Sequence, residues 1–160
     1  MGEPHVVTLR ATRAGDLDVL FRFRQDPEAR QMAGFASEDP ADLAAFVERW
    51  ERLIADPEVA LRTVRADGQI VGDVVVWHAD DGWCLGSWID RAHWGRGIAT
   101  RAVRLVLDEL TVRPLQARVA VDNAGSIAVL DKLGFRRVGL DLAFANARGI
   151  EMEEFIYSLG

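Results

Sequence analysis

One cysteine, Cys84, stands alone in 160 residues. An internal disulfide is thereby excluded, and so is a zinc site made of cysteines. The three histidines, His5, His78 and His93, do not form a metal-ligand spacing, so no metal is expected. Positive charge is in the minority: 19 Lys and Arg face 25 Asp and Glu, for a net charge of −6. That balance lacks the basic footprint of a nucleic-acid binder and mildly favours cationic partners such as amines. No stretch approaches the roughly 20 apolar residues that span a bilayer. Residues 1–16 carry no apolar run of signal-peptide type. A soluble, unprocessed, cytoplasmic protein is expected, with neither a membrane nor a nucleic-acid partner. Internal repeats and low-complexity linkers are also missing. With 49% apolar and 28% charged residues, the chain has the make-up of one globular domain over 1–160.

What is present is a series of elements of ordinary length, punctuated by Gly, Pro and Asp. Val6 to Arg10 reads as a strand. Asp16 to Arg24 reads as a short helix with Leu17, Leu20, Phe21 and Arg24 along one side. Asp39 is placed to cap a second helix with Pro40 in its first turn, and Leu43, Phe46, Val47, Trp50 and Ile54 continue at helical spacing. Strands over 60–66 and 69–78 meet at Asp67-Gly68, a strong hairpin signal. Asp81-Gly82 offers a second turn before a strand over 83–90. Ile98, Ala102, Val106 and Leu110 then sit four apart, which marks a helix over 97–110. Leu115 to Val121 is a strand, and Ser126 to Leu133 a helix stopped by Gly134. A closing hairpin, 135–144 and 151–159, turns around Asn146-Ala147-Arg148-Gly149. The order βααβββαβαββ predicts an α/β fold. About seven strands form a mixed sheet, mostly antiparallel with one parallel pair near 83–121, and four helices cover its faces.

The segment Trp94-Gly95-Arg96-Gly97-Ile98-Ala99-Thr100 follows a predicted strand and opens a predicted helix. A helix start exposes N–H groups that lack intrahelical partners, and the aligned peptide dipoles make that end electropositive. Gly95 and Gly97 let the main chain approach a phosphate with no Cβ in the way. Arg96 adds a permanent planar cation and Thr100 a hydroxyl donor. The set describes a pyrophosphate cradle, although a plain strand-to-helix turn also fits the bare spacing. Two other nucleotide signatures do not fit. The P-loop ending Gly-Lys-Ser/Thr is absent, and Thr100 stands where GxGxxG needs its last glycine.

This run resembles the acetyl-CoA motif of the GNAT superfamily, Gln/Arg-x-x-Gly-x-Gly/Ala, with Gly97 and Ala99 at its small positions. Trp94 departs from the general motif, but the longer run Trp88 to Thr100 is similar to the RimJ/RimL-type branch, where an aromatic before the Gly is common. A second segment agrees. Asn123-Ala124-Gly125-Ser126, followed by Leu130, Lys132, Gly134 and Phe135, is similar to that branch's Asn-x-x-Ser...Leu-x-Lys-x-Gly-Phe signature. The resemblance is specific over about 83–135 and architectural elsewhere. It implies transfer of an acetyl group from acetyl-CoA to a primary amine, either a protein N-terminus or a small molecule, by direct attack in a ternary complex. A polyamine or antibiotic acetyltransferase and an acetyl-CoA-binding sensor with little catalysis are the alternatives.

By the same resemblance, residues 95–100 would hold the pyrophosphate, and the pantetheine arm would lie between two splayed strands ending at Ile89 and Val121. An N–H near Trp88 or Ile89 would polarise the thioester carbonyl. Asn123 would bond the pantetheine, and Ser126 near the sulfur would be the candidate general acid. Helix packing and capping account for the same segment without a ligand. The branch often has a Glu on the strand before the cradle, and alignment on Gly86 and Trp88 puts Cys84 there. Proton removal then falls to water or to Glu151, Glu153 or Glu154. Cys84 itself is expected to be inert. The family's tyrosine acid has no counterpart, because Tyr157 is the one tyrosine and lies far along the chain. Strand alternation places Asp73, Val75, Trp77 and Trp88 on one face, and Trp77, Trp83, Trp88 and Trp94 are expected around the cleft. Exposed edge strands would suit a homodimer.

Overall fold

The computed structural model describes residues 6–33, 42–145 and 148–160. Strand β1 (Val7–Ala11) leads through a 3-10 turn into helices α1 (Leu17–Phe23), α2 (Pro27–Ala33) and α3 (Leu43–Ala55). Strands β2 (Ala60–Ala66), β3 (Gln69–Ala79) and β4 (Gly82–Ile89) follow, then α4 (Ile98–Glu109), β5 (Leu115–Ala120), α5 (Ala124–Lys132), β6 (Arg136–Ala145) and β7 (Ile150–Leu159). The sheet runs β1-β2-β3-β4-β5-β7-β6, antiparallel throughout except for β4 beside β5. The expected strand order and parallel pair are thus present, but with five α-helices among the described residues rather than four. The added helix, α2, begins at Asp26-Pro27. The Asp26 carboxylate accepts from the Glu28 N–H at 3.2 Å, and Pro27 suits a first turn. Asp39, Pro40, Asn146 and Ala147 lie outside the described residues. Helix α3 starts at Leu43, with Asp42 as its cap, accepting from the Ala45 N–H at 3.2 Å.

The helices cover opposite faces of the sheet. Ile98, Ala102, Val103 and Val106 of α4 are buried against Val64, Val74, Val76, Leu85 and Leu115 on one face. Leu17 and Leu20 of α1 and Phe46 and Trp50 of α3 are buried over Leu61 on the other. Burying each such side chain fully contributes about 1.5–3 kcal/mol. The second face also carries Asp73, Val75 and Trp77, paired with Trp88, Gly86 and Cys84, so the alternation expected for β3 and β4 is present. Gly72 sets how closely these two strands meet. A Cβ there would lie 2.1 Å from the Trp88 carbonyl oxygen.

A charged network pins β1 and the first turn to β2. Arg10 grips Asp16 through both guanidinium nitrogens at 2.6 and 2.7 Å, and the Arg13 N–H and Thr63 hydroxyl donate to the same carboxylate at 2.9 Å. Burial alone would push the Asp16 carboxyl up. The bonds from Arg10, Arg13 and Thr63 outweigh it and pull the pKa down to about 2. A depressed carboxylate contributes stability above its unfolded pKa and loses it as pH falls through the folded value, here over about pH 4 to 2. Asp16→Asn is therefore expected to cost about 2 kcal/mol at pH 7, with the gap to the parent closing as pH drops towards 2. Urea titrations across that range would show it, and a gap independent of pH would contradict the assignment.

Candidate active site

The parallel ladder between β4 and β5 is two residue pairs long, Trp83 with Leu115 and Cys84 with Gln116. Beyond those pairs the strands part, and their unpaired edges line a wedge that widens towards Ile89 and Ala120. Asp90 donates to the Val71 carbonyl at 2.8 Å, so strand alternation turns the N–H groups of Ser87 and Ile89 away from β3 and into the wedge. Of the two amides expected near the thioester, it is Ile89's that faces the gap, while Trp88's belongs to the β3 ladder. On the opposite strand Val121 donates to the Glu153 carbonyl at 3.2 Å, which leaves the edges of Arg118 and Ala120 facing the wedge.

The cradle sits at the wide end, where the chain leaves β4. A 3-10 turn over Arg91–His93 reverses it, and the Trp94 indole N–H closes onto the Ile89 carbonyl at 2.8 Å. Gly95 and Gly97 take positive φ of 77° and 73°, and Gly97 caps α4 in the left-handed region that a side chain strains. The helical ladder begins with Arg101 donating to the Gly97 carbonyl at 3.1 Å. The amides of Ile98, Ala99 and Thr100 precede that bond and have no i−4 partner within the helix. Arg96 is exposed beside them, Thr100 is half-buried, and Ile98 anchors the turn in the core. The turn therefore sets two positions without a side chain, Gly95 and Gly97, beside three amides with no helical partner.

Across the wedge, Asn123 caps α5, its carbonyl oxygen accepting from the Ser126 N–H at 3.3 Å. Ser126 is exposed in the first turn of that helix. On the face away from α4, Cys84 is partly buried, and desolvation together with the charge of Asp81 pushes its thiol up, which suits an inert residue. Of the three glutamates on β7, Glu154 shares the Cys84 face. Glu151 and Glu153 point to the other. Glu154 is buried and accepts from Arg118 at 2.9 Å, and Arg118 also meets Asp141 at 3.1 Å and Asp81 at 3.8 Å. Asp73 is held by Arg24 through two bonds, 2.8 and 3.0 Å, with the guanidinium 4.5 Å from the Trp50 ring and 5.1 Å from Trp88. Trp83 falls on the α4 face against His78, so the four tryptophans do not gather in one place. Tyr157 is buried under Arg137, on the α4 face. Among the described residues no group of His, Cys, Asp and Glu could hold a metal, and no helix is long and apolar enough to cross a membrane.

A splayed parallel pair with a glycine cradle at its mouth is what the sequence resemblance implied, and comparison with known proteins decides the family. Residues 7–136 match the acetyltransferase (GNAT) domain. The chain belongs to the GNAT family of acetyl-CoA-dependent N-acetyltransferases. It is 37% identical over 104 residues to a probable N-acetyltransferase, YjcK, of Bacillus subtilis. That match covers 59% of this chain and 58% of the relative, so a large part of the relative's length is unmatched. Its fold is that of a spermidine N-acetyltransferase from Vibrio cholerae solved with CoA and spermine, with TM-score 0.82 and 19% identity over 96% of this chain and 94% of that one. RimL, a ribosomal L7/L12 α-N-protein acetyltransferase, superposes with TM-score 0.81 and 17% identity over 97% and 90%.

Proposed function

We propose that this GNAT chain transfers an acetyl group from acetyl-CoA to a primary amine, either a protein N-terminus or a small molecule, by direct attack in a ternary complex. The observation that carries the reading is the wedge between β4 and β5 with amides lacking helical partners at its mouth. A bound acetyl-CoA supplies the activated acyl group. Its diphosphate would be held by Gly95, Arg96, Gly97, Ile98, Ala99 and Thr100, and its pantetheine by the exposed edges of β4 and β5 with Asn123. The Ile89 N–H would donate to the thioester oxygen, and a preorganised donor of this kind is worth about 3 kcal/mol. Positioning the amine within the wedge removes the entropy of encounter. Ser126, exposed in the first turn of α5, would return a proton towards sulfur through water. Glu154 is the carboxylate best placed among the three on β7 to draw the amine proton, with water as the other route. Fold-mates named for spermidine and for a ribosomal protein support an amine acceptor without choosing between the two classes.

Thermal melts with acetyl-CoA test the binding step. A ligand at 100 times its dissociation constant adds about 2.7 kcal/mol to native stability, which is readily seen. A chain whose melting point ignores acetyl-CoA would remove the proposal. Thiol release across amines and alanine-first peptides then tests transfer. With an acceptor in hand, Ser126→Ala is expected to lower kcat by about 100-fold or more and leave acetyl-CoA affinity near the parent's. Equal turnover would take Ser126 out of the mechanism.

A further inference from the structure

Helix α2, seven residues long, is too short to persist alone. It is fastened at both ends by arginines from outside it. At its start, Arg91 bonds Asp26, the residue that caps the helix, and reaches Glu28 at 3.1 Å. At its finish, Arg148 donates to the carbonyls of Gln31 at 2.7 Å and Met32 at 3.4 Å, groups that a helix end leaves without internal partners. The same Arg148 grips Asp122 through two bonds, 2.6 and 3.0 Å. The places these anchors come from matter. Arg91 lies between the end of β4 and the cradle, and Asp122 lies between the end of β5 and Asn123. The helix is therefore tied to the loop that follows each splayed strand, with its own Ala29 buried on the inner side.

We propose that α2 is a strap across the mouth of the wedge, and that Arg148 and Arg91 are positioning residues that couple its order to occupation of the cofactor site. The inference rests on the acetyl-CoA reading above. A cofactor that orders residues 91–97 and 122–123 orders both attachment points of α2 at once. The two anchors differ in weight. The Arg148 side chain is 13% exposed and makes four bonds, whereas Arg91 is 44% exposed and its ion pairs are open to solvent screening. Arg148 is the principal tie.

Amide hydrogen exchange on the full chain, with and without acetyl-CoA, tests the coupling without needing an acceptor. In the parent, saturating acetyl-CoA should slow exchange at residues 28–33 by about fivefold or more. In Arg148→Ala that slowing should disappear, and acetyl-CoA affinity should fall by no more than the factor by which the parent's exchange was slowed, since the coupling is reciprocal. Arg148→Lys should recover part of it, because an ammonium cannot span a carboxylate and two carbonyls as a planar fork does. Undiminished slowing in Arg148→Ala would overturn the strap, as would no slowing in a parent that binds acetyl-CoA. A parent that fails to bind acetyl-CoA at all would overturn the functional reading itself and the strap with it.

Discussion

Gly97→Val is expected to remove the rise in melting temperature that acetyl-CoA induces, while the chain still folds. Gly97 sits at φ 73° and ψ 12° as the cap of α4. A β-branched residue in that region carries about 1–3 kcal/mol of strain. For a domain of this size that lowers the melting temperature by roughly 2–12 °C. The fold has reserves against such a loss, since Ile98, Ala102, Val103 and Val106 still anchor the helix in the core. The cradle has none. Relaxing the strain means rotating the peptide groups on either side of residue 97, and those are the groups aimed outward beside the amides of Ile98, Ala99 and Thr100. The added side chain also stands where a diphosphate must approach the main chain. A loss of at least about 100-fold in acetyl-CoA affinity is expected, equivalent to some 2.7 kcal/mol. Calorimetric titration of a variant shown to be folded by circular dichroism gives the answer. Unchanged affinity would mean that the diphosphate is held elsewhere.

The turn into α4 was legible in the sequence because its requirement is conformational and local. Glycine is the residue that relieves both a positive φ and a close main-chain approach, so Gly95 and Gly97 report the geometry directly. The hairpin at Asp67-Gly68 and the four-residue spacing of α4 were legible for similar reasons, and so was the parallel pair implied by strand, helix and strand in succession. The second hairpin turns one residue earlier than expected, on Asp80-Asp81, with Gly82 already in β4 opposite Ala79. Helix α2 was not, because seven residues hold too few turns for a hydrophobic period. Its one signal, Asp26 before Pro27, is a cap and not a pattern. The long-range arginine pairings were hidden for another reason. Arg24 meets Asp73 49 positions away, and Arg148 meets α2 across 117. In sequence each is one charge among many. The sheet register reveals that Glu154 faces the Cys84 side while its neighbour Glu153 faces the other, a distinction the three glutamates of β7 could not make without their partner strand. The Ser126 and Asn123 assignments stay with the motif that suggested them. The structure adds that Asn123 holds the first turn of α5 whatever else it binds.

Asp73→Ala should be among the most destabilising single changes in the described chain. Asp73 is 1% exposed and Arg24 is 8% exposed, and the two share a bidentate pair at 2.8 and 3.0 Å beneath the apolar cover of α1 and α3. Removing one partner of such a pair costs about 3–5 kcal/mol, because a charge already taken out of water loses the bidentate attraction that offset its desolvation. The expected fall in melting temperature is roughly 6–20 °C. The pair as a whole stabilises far less than that figure suggests, since desolvation of two ions opposes their attraction. A double variant, Arg24→Met with Asp73→Leu, should therefore recover most of the loss in urea unfolding, to within about 1–2 kcal/mol of the parent. Its acetyl-CoA shift should persist, because the pair lies on the sheet face opposite α4 and touches none of residues 95–100. What the double variant should not restore is the stacking of a cation between Trp50 and Trp88, at 4.5 and 5.1 Å from their rings. Trp88 adjoins the Ile89 amide that faces the wedge, so loosened packing there would reach the site through the main chain. A double variant as stable as the parent but slow in acetyl transfer would show that the buried charge sets the position of Trp88. A single Asp73→Ala variant as stable as the parent would show that the pair contributes nothing to holding α1 on the sheet.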